Sequence, residues 1–236
     1  MARTKDGPTH AARRDAVLDS VQRLLLTKGY AQLTIQDVLD DLNISKGAFY
    51  HYFGSKPAAI EALTERLVGN AEQLLASIVA DVETNPLDKL RRFFSAAVNW
   101  KSDRQQLFVA MLSVWYAPAN ATFQQGVDHA VVRRLEPLLA ILIRQGFEAG
   151  TFTVSHPQQA AEIVLALVQS LQHSMARQLL DAIPSADMLA THSAHLEAIE
   201  RYLGTPPGSL PRVDAATVES WSSAVAAADK TGARHD

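Results

Sequence analysis

The chain has 236 residues, no cysteine and a formal net charge of −3. A chain of this length accommodates one large domain, or a small domain joined to a larger one. The lack of cysteine excludes disulfides and thiolate metal sites. The first residues lack the apolar core of a signal peptide, and no apolar run reaches the roughly eighteen residues of a membrane span. A soluble, cytoplasmic protein is therefore expected.

The charge is unevenly distributed along the chain. Residues 1–56 carry eight Lys and Arg against six Asp, a balance of +2, whereas the remainder carries 14 basic and 19 acidic residues, a balance of −5. A basic N-terminal part suits a nucleic-acid partner, but the excess is small. We therefore expect Asp40 and Asp41 to point away from DNA, and tight DNA binding to need a dimer.

A first amphipathic helix is predicted over about residues 9–29. Its apolar residues recur on one face, and Gly29 follows the last of them, where glycine commonly ends a helix. The face consists of Val17, Leu18, Val21, Leu24 and Leu25. This helix would supply the apolar floor on which the next helices pack.

Two shorter helices are predicted over about residues 34–42 and 45–53. Thr34, with an acidic residue three positions later, makes the capping box that opens a helix. Asn43 suits the left-handed conformation in which a helix ends, and Ser45 can cap the helix that follows. Two short helices joined by a tight turn form a helix-turn-helix, whose second helix is the natural probe of a DNA major groove.

The third helix would bury Phe49 and Phe53 and expose the opposite face. Gly47 and Ala48 have almost no side chain there, so DNA could approach the helix backbone closely. Lysine and tyrosine suit phosphate contacts, and Gln36 could read a base edge with its amide. The candidate DNA-binding residues are Thr34, Gln36, Ser45, Lys46, Gly47, Ala48, Tyr50, His51, Tyr52 and Lys56. Alternatively, both short helices merely belong to a helical core.

The run SKGAFYHYFGSK at residues 45–56 resembles the N-terminal signature of the TetR family of bacterial transcriptional regulators. In that family a helix opening with Thr and a short turn precede Ser-Lys-Gly-x-x-Tyr-x-x-Phe, with a Lys three residues on. The chain differs at the turn, where Asn43 stands in the usual place of glycine, and at Leu39 and Leu42, where small alanines are usual. The detailed resemblance covers about residues 10–68 and implies a DNA-binding unit.

The rest of the chain is predicted to be helical, with no strand and no internal repeat. Helices are expected at about residues 56–83, 86–100, 104–116, 121–147, 157–182, 185–203 and 215–228. Pro137 should kink or divide the helix that contains it. The predicted fold is all-α, with an N-terminal three-helix helix-turn-helix domain at residues 1–55 and a larger C-terminal helical domain at residues 56–236. The resemblance assigns effector binding and dimerisation to the larger domain.

The helices at about residues 157–182 and 185–203 are apolar over a wider arc than packing on one core requires. An ordinary buried core in a monomer would also explain this pattern. The resemblance implies that both helices pair with their copies across a two-fold axis, and a single helix-turn-helix needs such a dimer to read two half-sites. The expected interface residues are Leu167, Leu171, Met175, Leu189, Leu196, Ile199 and Leu203.

The middle helices are rich in large aromatic side chains. Aromatic residues at helical spacing are more often plain core than a ligand pocket, but the resemblance implies a small-molecule cavity among these helices, mostly apolar with a few polar anchors. The candidate effector-binding residues are Trp100, Phe108, Met111, Trp115, Tyr116, Phe123, Arg133, Gln169, His173 and Arg177. For each polar anchor, a satisfied role in the core or interface is the competing interpretation.

Enzyme signatures are absent: there is no nucleophile elbow, no phosphate-binding glycine loop and no paired zinc histidines of the protease type. His192, His195 and Glu197 could chelate zinc from one helix face, but surface or interface histidines are the simpler interpretation. We therefore expect no catalytic residue, no metal and no cofactor.

Together these features predict a ligand-responsive, DNA-binding transcriptional regulator. We expect a repressor that binds a palindromic operator as a homodimer and is released by a small, largely apolar effector, although an activator fits the same residues. The alternative is a small-molecule sensor or a helical adaptor without specific DNA binding.

Overall fold

The computed structural model describes residues 10–116 and 120–232, and within them every regular element is a helix. The ten helices, in chain order, are α1 (His10–Gln32), α2 (Ile35–Leu42), α3 (Lys46–Tyr52), α4 (Lys56–Ala80), α5 (Pro86–Ser102), α6 (Gln105–Trp115), α7 (Ala121–Glu148), α8 (Pro157–Leu180), α9 (Ser185–Leu203) and α10 (Ala215–Gly232). The predicted all-α fold is confirmed. Among these helices, none has both the length and the apolar character needed to cross a bilayer.

The chain divides into two compact units, Met1–Leu67 and Val68–Asp236. The sequence-based division after residue 55 left all of α4 with the second domain, whereas the structure groups the first turns of α4 with the first unit. Two side chains of α4 explain the difference. Lys56 donates to backbone carbonyls at the end of α1, and Arg66 donates to Asp19 within α1.

α1 supplies the floor of the first unit, as predicted, through buried residues that include Val17, Leu18 and Leu25. The regular helix breaks at Gly29, whose φ of 73° and ψ of 168° are not helical. The helix was predicted to end there; in the structure, a short continuation carries it to Gln32.

The caps of α2 and α3 follow the sequence prediction closely. The Thr34 hydroxyl accepts from the backbone N–H of Asp37, and the Asp37 carboxylate accepts from the backbone N–H of Thr34. Asn43 takes the left-handed conformation, with φ and ψ both 50°. Ser45 Oγ accepts from the backbone N–H of Ala48 at 3.2 Å. Local chemistry therefore sets both helix ends and the turn between them.

The second unit is built around α7, α8 and α9, with α7 packed on α8 and α8 on α9. Their buried residues form one core that also includes residues of α4 and α5. Of the two effects predicted for Pro137, a kink or a division of its helix, the division does not occur: α7 runs as one helix of 28 residues through that position. Pro137 lies on the exposed side of α7.

A buried ion pair fastens the chain that follows α9. The Glu200 carboxylate is only 2% exposed. It accepts hydrogen bonds from Gly208 N at 3.0 Å, from Leu210 N at 2.7 Å, and from the Arg212 guanidinium at 2.6 and 2.9 Å. These contacts hold the pKa of Glu200 down to about 2, with the Arg212 hydrogen bonds as the largest cause. We refer to this set as the Glu200 clasp.

The clasp leads into α10, which is longer than the short helix predicted at about residues 215–228. α10 packs against α6, α8 and α9. Val225 and Trp221 of α10 meet Val109 and Leu112 of α6 in a small apolar cluster. α10 therefore covers one side of the helix that carries several candidate effector residues.

Candidate nucleic-acid interface and effector site

The recognition helix α3 is oriented by two buried aromatic rings. Phe49 and Phe53 are both buried, and their ring centroids lie 6.0 Å apart. The opposite face is open: Gly47 and His51 are exposed, and Tyr50 is 45% exposed. A Cβ built on Gly47 would meet only Ser45 Oγ, at 3.9 Å. Because no neighbouring protein atom requires glycine at residue 47, the helix backbone is accessible to a partner at this point.

Cationic and aromatic groups surround this open face. The Lys46 ammonium lies 5.9 Å from the centre of the Tyr50 ring. Tyr52 is half-buried, and its ring contacts both His51 and His10, at centroid distances of 5.0 and 4.8 Å. His10, at the start of α1, was not among the residues predicted from sequence. Only the fold brings it beside α3, since the two residues are far apart along the chain.

Several predicted DNA contacts are engaged within the first unit. The amide of Gln36 donates to Asp40 at 2.7 Å on the exposed side of α2. The hydroxyls of Thr34 and Ser45 serve as helix caps, and Ala48 is half-buried next to its cap. These groups hold the helix-turn-helix in shape, and Gln36 would have to exchange Asp40 for a base edge.

Lys56 has a structural role that the sequence did not predict. Its ammonium donates to the carbonyl oxygens of Tyr30 and Leu33, each at 3.0 Å, and lies 4.1 Å from the centre of the Tyr30 ring. Burial lowers the pKa of Lys56. A phosphate contact would require this ammonium to give up a hydrogen bond, so Lys56 serves first as a strut between α4 and the end of α1.

Two of the acidic residues are neutralised by α1. Asp41 accepts from Ser20 Oγ and from Arg23, both at 2.6 Å, and these hydrogen bonds lower its pKa. Asp37 accepts from Lys28 at 2.6 Å, and this contact is the largest of those that lower its pKa to about 2. These pairs neutralise two negative charges near the helix-turn-helix. They also leave Arg23 and Lys28 of α1 already paired with carboxylates.

The aromatic effector candidates form a row in the second unit. The Trp100 and Phe108 rings lie edge to face at 5.5 Å, and the Phe108 and Trp115 rings do so at 5.7 Å. Arg104 lies over the Trp100 ring at 4.7 Å. Met111, on the same helix as Phe108, is fully buried. We refer to Trp100, Phe108 and Trp115 as the aromatic row.

The polar effector candidates meet at the other end of α6. The Tyr116 and His173 rings lie 6.0 Å apart. His173 Nε2 is 3.1 Å from the Asp128 carboxylate, and the amide of Gln169 donates to the Asp128 carbonyl at 3.3 Å. Burial, followed by the negative charge of Asp128, raises the pKa of Tyr116 to about 12. Asp128, which the sequence analysis missed, therefore links α7 to this cluster.

The remaining effector candidates lie as follows. Arg177 Nε donates to the carbonyl of His173 at 3.4 Å. Phe123 is half-buried and Arg133 is exposed, both on α7. Among the described residues, no group of three or more His, Cys, Asp or Glu side chains is placed to hold a metal ion.

Two family descriptions match this chain. Residues 17–63 match "Bacterial regulatory proteins, tetR family", and residues 105–177 match "Tetracyclin repressor-like, C-terminal domain". The two matches together cover about half of the chain, including α2, α3 and the helix α6 that carries Phe108 and Trp115. The chain belongs to the TetR family of bacterial transcriptional regulators.

Curated relatives of this TetR-family chain are regulators with a helix-turn-helix. The repressor NemR of Escherichia coli K12 is 25% identical over 158 residues, which is 65% of this chain and 79% of NemR. EthR of Mycolicibacterium smegmatis is 33% identical over 85 residues, 36% of this chain and 39% of EthR. The uncharacterised regulator YerO of Bacillus subtilis is 28% identical over 114 residues, 48% of this chain. The matches to EthR and YerO each span 39% of the relative's length.

Solved TetR-family structures share the fold. SmeT, the repressor of the Stenotrophomonas maltophilia multidrug efflux pump SmeDEF, aligns with a TM-score of 0.60 at 19% identity, over 84% of this chain and 96% of SmeT. The reduced form of E. coli NemR aligns with a TM-score of 0.57 at 23% identity, over 82% of this chain and 99% of NemR.

Three predicted interface residues of this TetR-family chain require correction. Leu196, Ile199 and Leu203 are at most 1% exposed and belong to the core of their own chain. They are therefore not available to a second copy. Of the other predicted residues, Leu171 is buried, and Leu167, Met175 and Leu189 are half-buried. The exposed apolar side chains of α8 and α9 include Ile163, Leu180 and Tyr202.

Proposed function

We propose that this TetR-family chain is a ligand-responsive transcriptional regulator that binds a palindromic operator as a homodimer. It acts by repression, which a small, largely apolar effector relieves. The observation that carries the proposal is the open face of α3, where Gly47 offers its backbone and Lys46, Tyr50 and His51 surround it. Capped helix ends hold this face in a fixed shape, which the reading of base edges requires.

The predicted DNA residues would act in three ways. Lys46, Tyr50, His51 and Tyr52 would contact phosphates and set the register. The small residues Gly47 and Ala48 would admit the DNA backbone or base edges. Gln36 would read a base. Thr34, Ser45 and Lys56 would hold the helices that present these groups. Lys56 could contact a phosphate only by giving up one of its hydrogen bonds to a backbone carbonyl.

Dimerisation follows from the symmetry of the operator. One helix-turn-helix reads one half-site, and two half-sites one helical turn apart lie about 34 Å from each other. A two-fold dimer matches that arrangement. We propose α8 and α9 as the pairing helices, through their exposed and half-buried side chains.

The effector would act by favouring a conformation whose α3 helices no longer fit successive grooves. Such coupling is typically about 1–3 kcal/mol, and a ligand of equal affinity for both conformations would have no effect. SmeT, which shares the fold, has been solved in complex with triclosan. We propose the aromatic row and the Tyr116–His173 cluster as the site in this chain. Because a bacterial regulator binds chromosomal DNA, we propose a cytoplasmic location. We propose no catalytic activity for this chain.

The alternative is a sensor or adaptor that does not bind DNA specifically. It is favoured by the small N-terminal charge excess and by the pairing of Arg23 and Lys28 with carboxylates. Selection of bound duplexes from a random library distinguishes the two functions. We expect enrichment of a palindrome whose affinity falls steeply with salt. Folded protein that enriches no duplex would exclude the regulator and leave the sensor or adaptor.

A further inference from the structure

The indole N–H of Trp115 is a buried donor without an acceptor. Its Nε1 atom is inaccessible to solvent and makes no hydrogen bond within the part of the chain that the structure describes. Buried polar groups are nearly always paired, because an unpaired one loses its hydration without replacement. Trp115 ends α6 and closes the aromatic row. An unpaired donor at this place needs an explanation.

A trapped water would satisfy Trp115 poorly. A buried water typically needs two to four polar partners, and the ring that contacts Trp115 in the row belongs to Phe108. An apolar molecule that carries an acceptor would suit this place better, because its apolar part packs on the rings and its acceptor receives a hydrogen bond from the indole N–H.

We propose that the effector of this regulator is a flat aromatic compound bearing an oxygen acceptor, carbonyl or carboxylate, that accepts the N–H of Trp115. This inference rests on the proposed effector site. It adds one chemical requirement to that site, since an effector without an acceptor leaves the indole unpaired.

Three probes of matched size test the proposal: 2-ethylnaphthalene has no acceptor, 2-acetylnaphthalene has a carbonyl and 2-naphthoate has a carboxylate. Binding to the full chain is measured by calorimetry, and the indole N–H resonances are followed by NMR. The chain has three tryptophans, so Trp115→Phe assigns the relevant resonance by its loss. We expect the two acceptor-bearing probes to bind about tenfold more tightly, which is the ratio that one hydrogen bond of about 1.4 kcal/mol gives. The Trp115 proton should move downfield only with those probes.

The variants separate the donor from the ring. Trp115→Phe should bind all three probes with about the affinity that the native chain has for 2-ethylnaphthalene. The control variant Trp221→Phe, on α10, should bind the probes as the native chain does.

Equal affinity of the three probes in the native chain, an unmoved Trp115 resonance, or no binding of any probe would overturn the inference. DNA binding is measured on the same proteins. If the probes do not bind as expected but the native chain still binds its selected duplex, only the inference about the effector is wrong. If the native chain enriches no duplex, the proposed function is wrong.

Discussion

The glycine of the recognition helix allows DNA binding to be tested separately from folding. Gly47 is the second residue of α3, its φ is not positive, and a Cβ there would meet only Ser45 Oγ at 3.9 Å. This is an ordinary van der Waals distance, so Gly47→Ala requires no movement of the protein. Since alanine favours a helix over glycine by about 0.5–1 kcal/mol, the variant should be as stable as the native chain or slightly more so.

The same methyl group should weaken DNA binding. If the α3 backbone approaches a base edge or a phosphate at residue 47, the added Cβ occupies that space. Loss of one close contact in a specific site typically costs about 1–3 kcal/mol, or roughly five- to 150-fold in Kd. A symmetric dimer carries the change in both half-sites, so the observed loss should lie toward the larger value.

Two measurements check this prediction: fluorescence anisotropy on the selected duplex and thermal unfolding of the free protein. Gly69→Ala in α4 is a matched control, because its Cβ would meet only the Arg134 side chain, at 3.7 Å. It should leave the affinity unchanged. Native affinity in Gly47→Ala would show that DNA does not approach the α3 backbone, and a clear loss of stability would show that residue 47 is not open.

Three further predictions concern single side chains. Lys56→Met should destabilise the chain by about 1–3 kcal/mol in thermal unfolding, because two carbonyls lose their donor, while Lys56→Arg should recover part of the loss. Gln36→Ala should relax base preference at particular operator positions in repeated duplex selection, and uniform weakening at all positions would contradict a base-reading role. His192 is 6% exposed, and burial lowers its pKa from 6.5 to about 4. The unfolded chain therefore takes up this proton first, so up to about 3 kcal/mol of stability should be lost as the pH falls from 6.5 to 4, and His192→Gln should flatten the stability–pH curve in that window.

The helix-turn-helix could be predicted in detail because its ends depend on neighbouring residues. Thr34, Asn43 and Ser45 each act on backbone groups within three positions, so their chemistry is readable from the sequence alone. The burial of Phe49 and Phe53 follows equally from helical spacing. Such features do not depend on the rest of the fold.

The interface residues show where this kind of prediction stops. The apolar stripe of α9 has the same spacing whether it meets a second copy or the core of its own chain, and Leu196, Ile199 and Leu203 meet the core. The Glu200 clasp could not be predicted from the sequence for a related reason. Glu200 becomes a buried acceptor only when residues 208–212 fold back onto it. Lys56 is a third case, since its long side chain bends back to carbonyls 23 and 26 positions earlier.

Charge pairing within the first unit bears directly on how this regulator would hold DNA. Arg23, Lys28 and Arg66 bind carboxylates there, and Lys56 binds carbonyls. Among the described residues of this unit, the cations outside these contacts are Arg13, Arg14 and Lys46, of which Arg14 lies 5.2 Å from the Phe53 ring centre. Each phosphate neutralised contributes about 0.9 to the slope of log K against log salt. One chain would then give a slope of about −3 and a dimer about −5. The salt dependence of the binding constant for the selected duplex therefore indicates how many copies of the chain bind it. A slope near −3 would indicate that one copy binds alone, and the two-fold dimer would then not be the DNA-binding form.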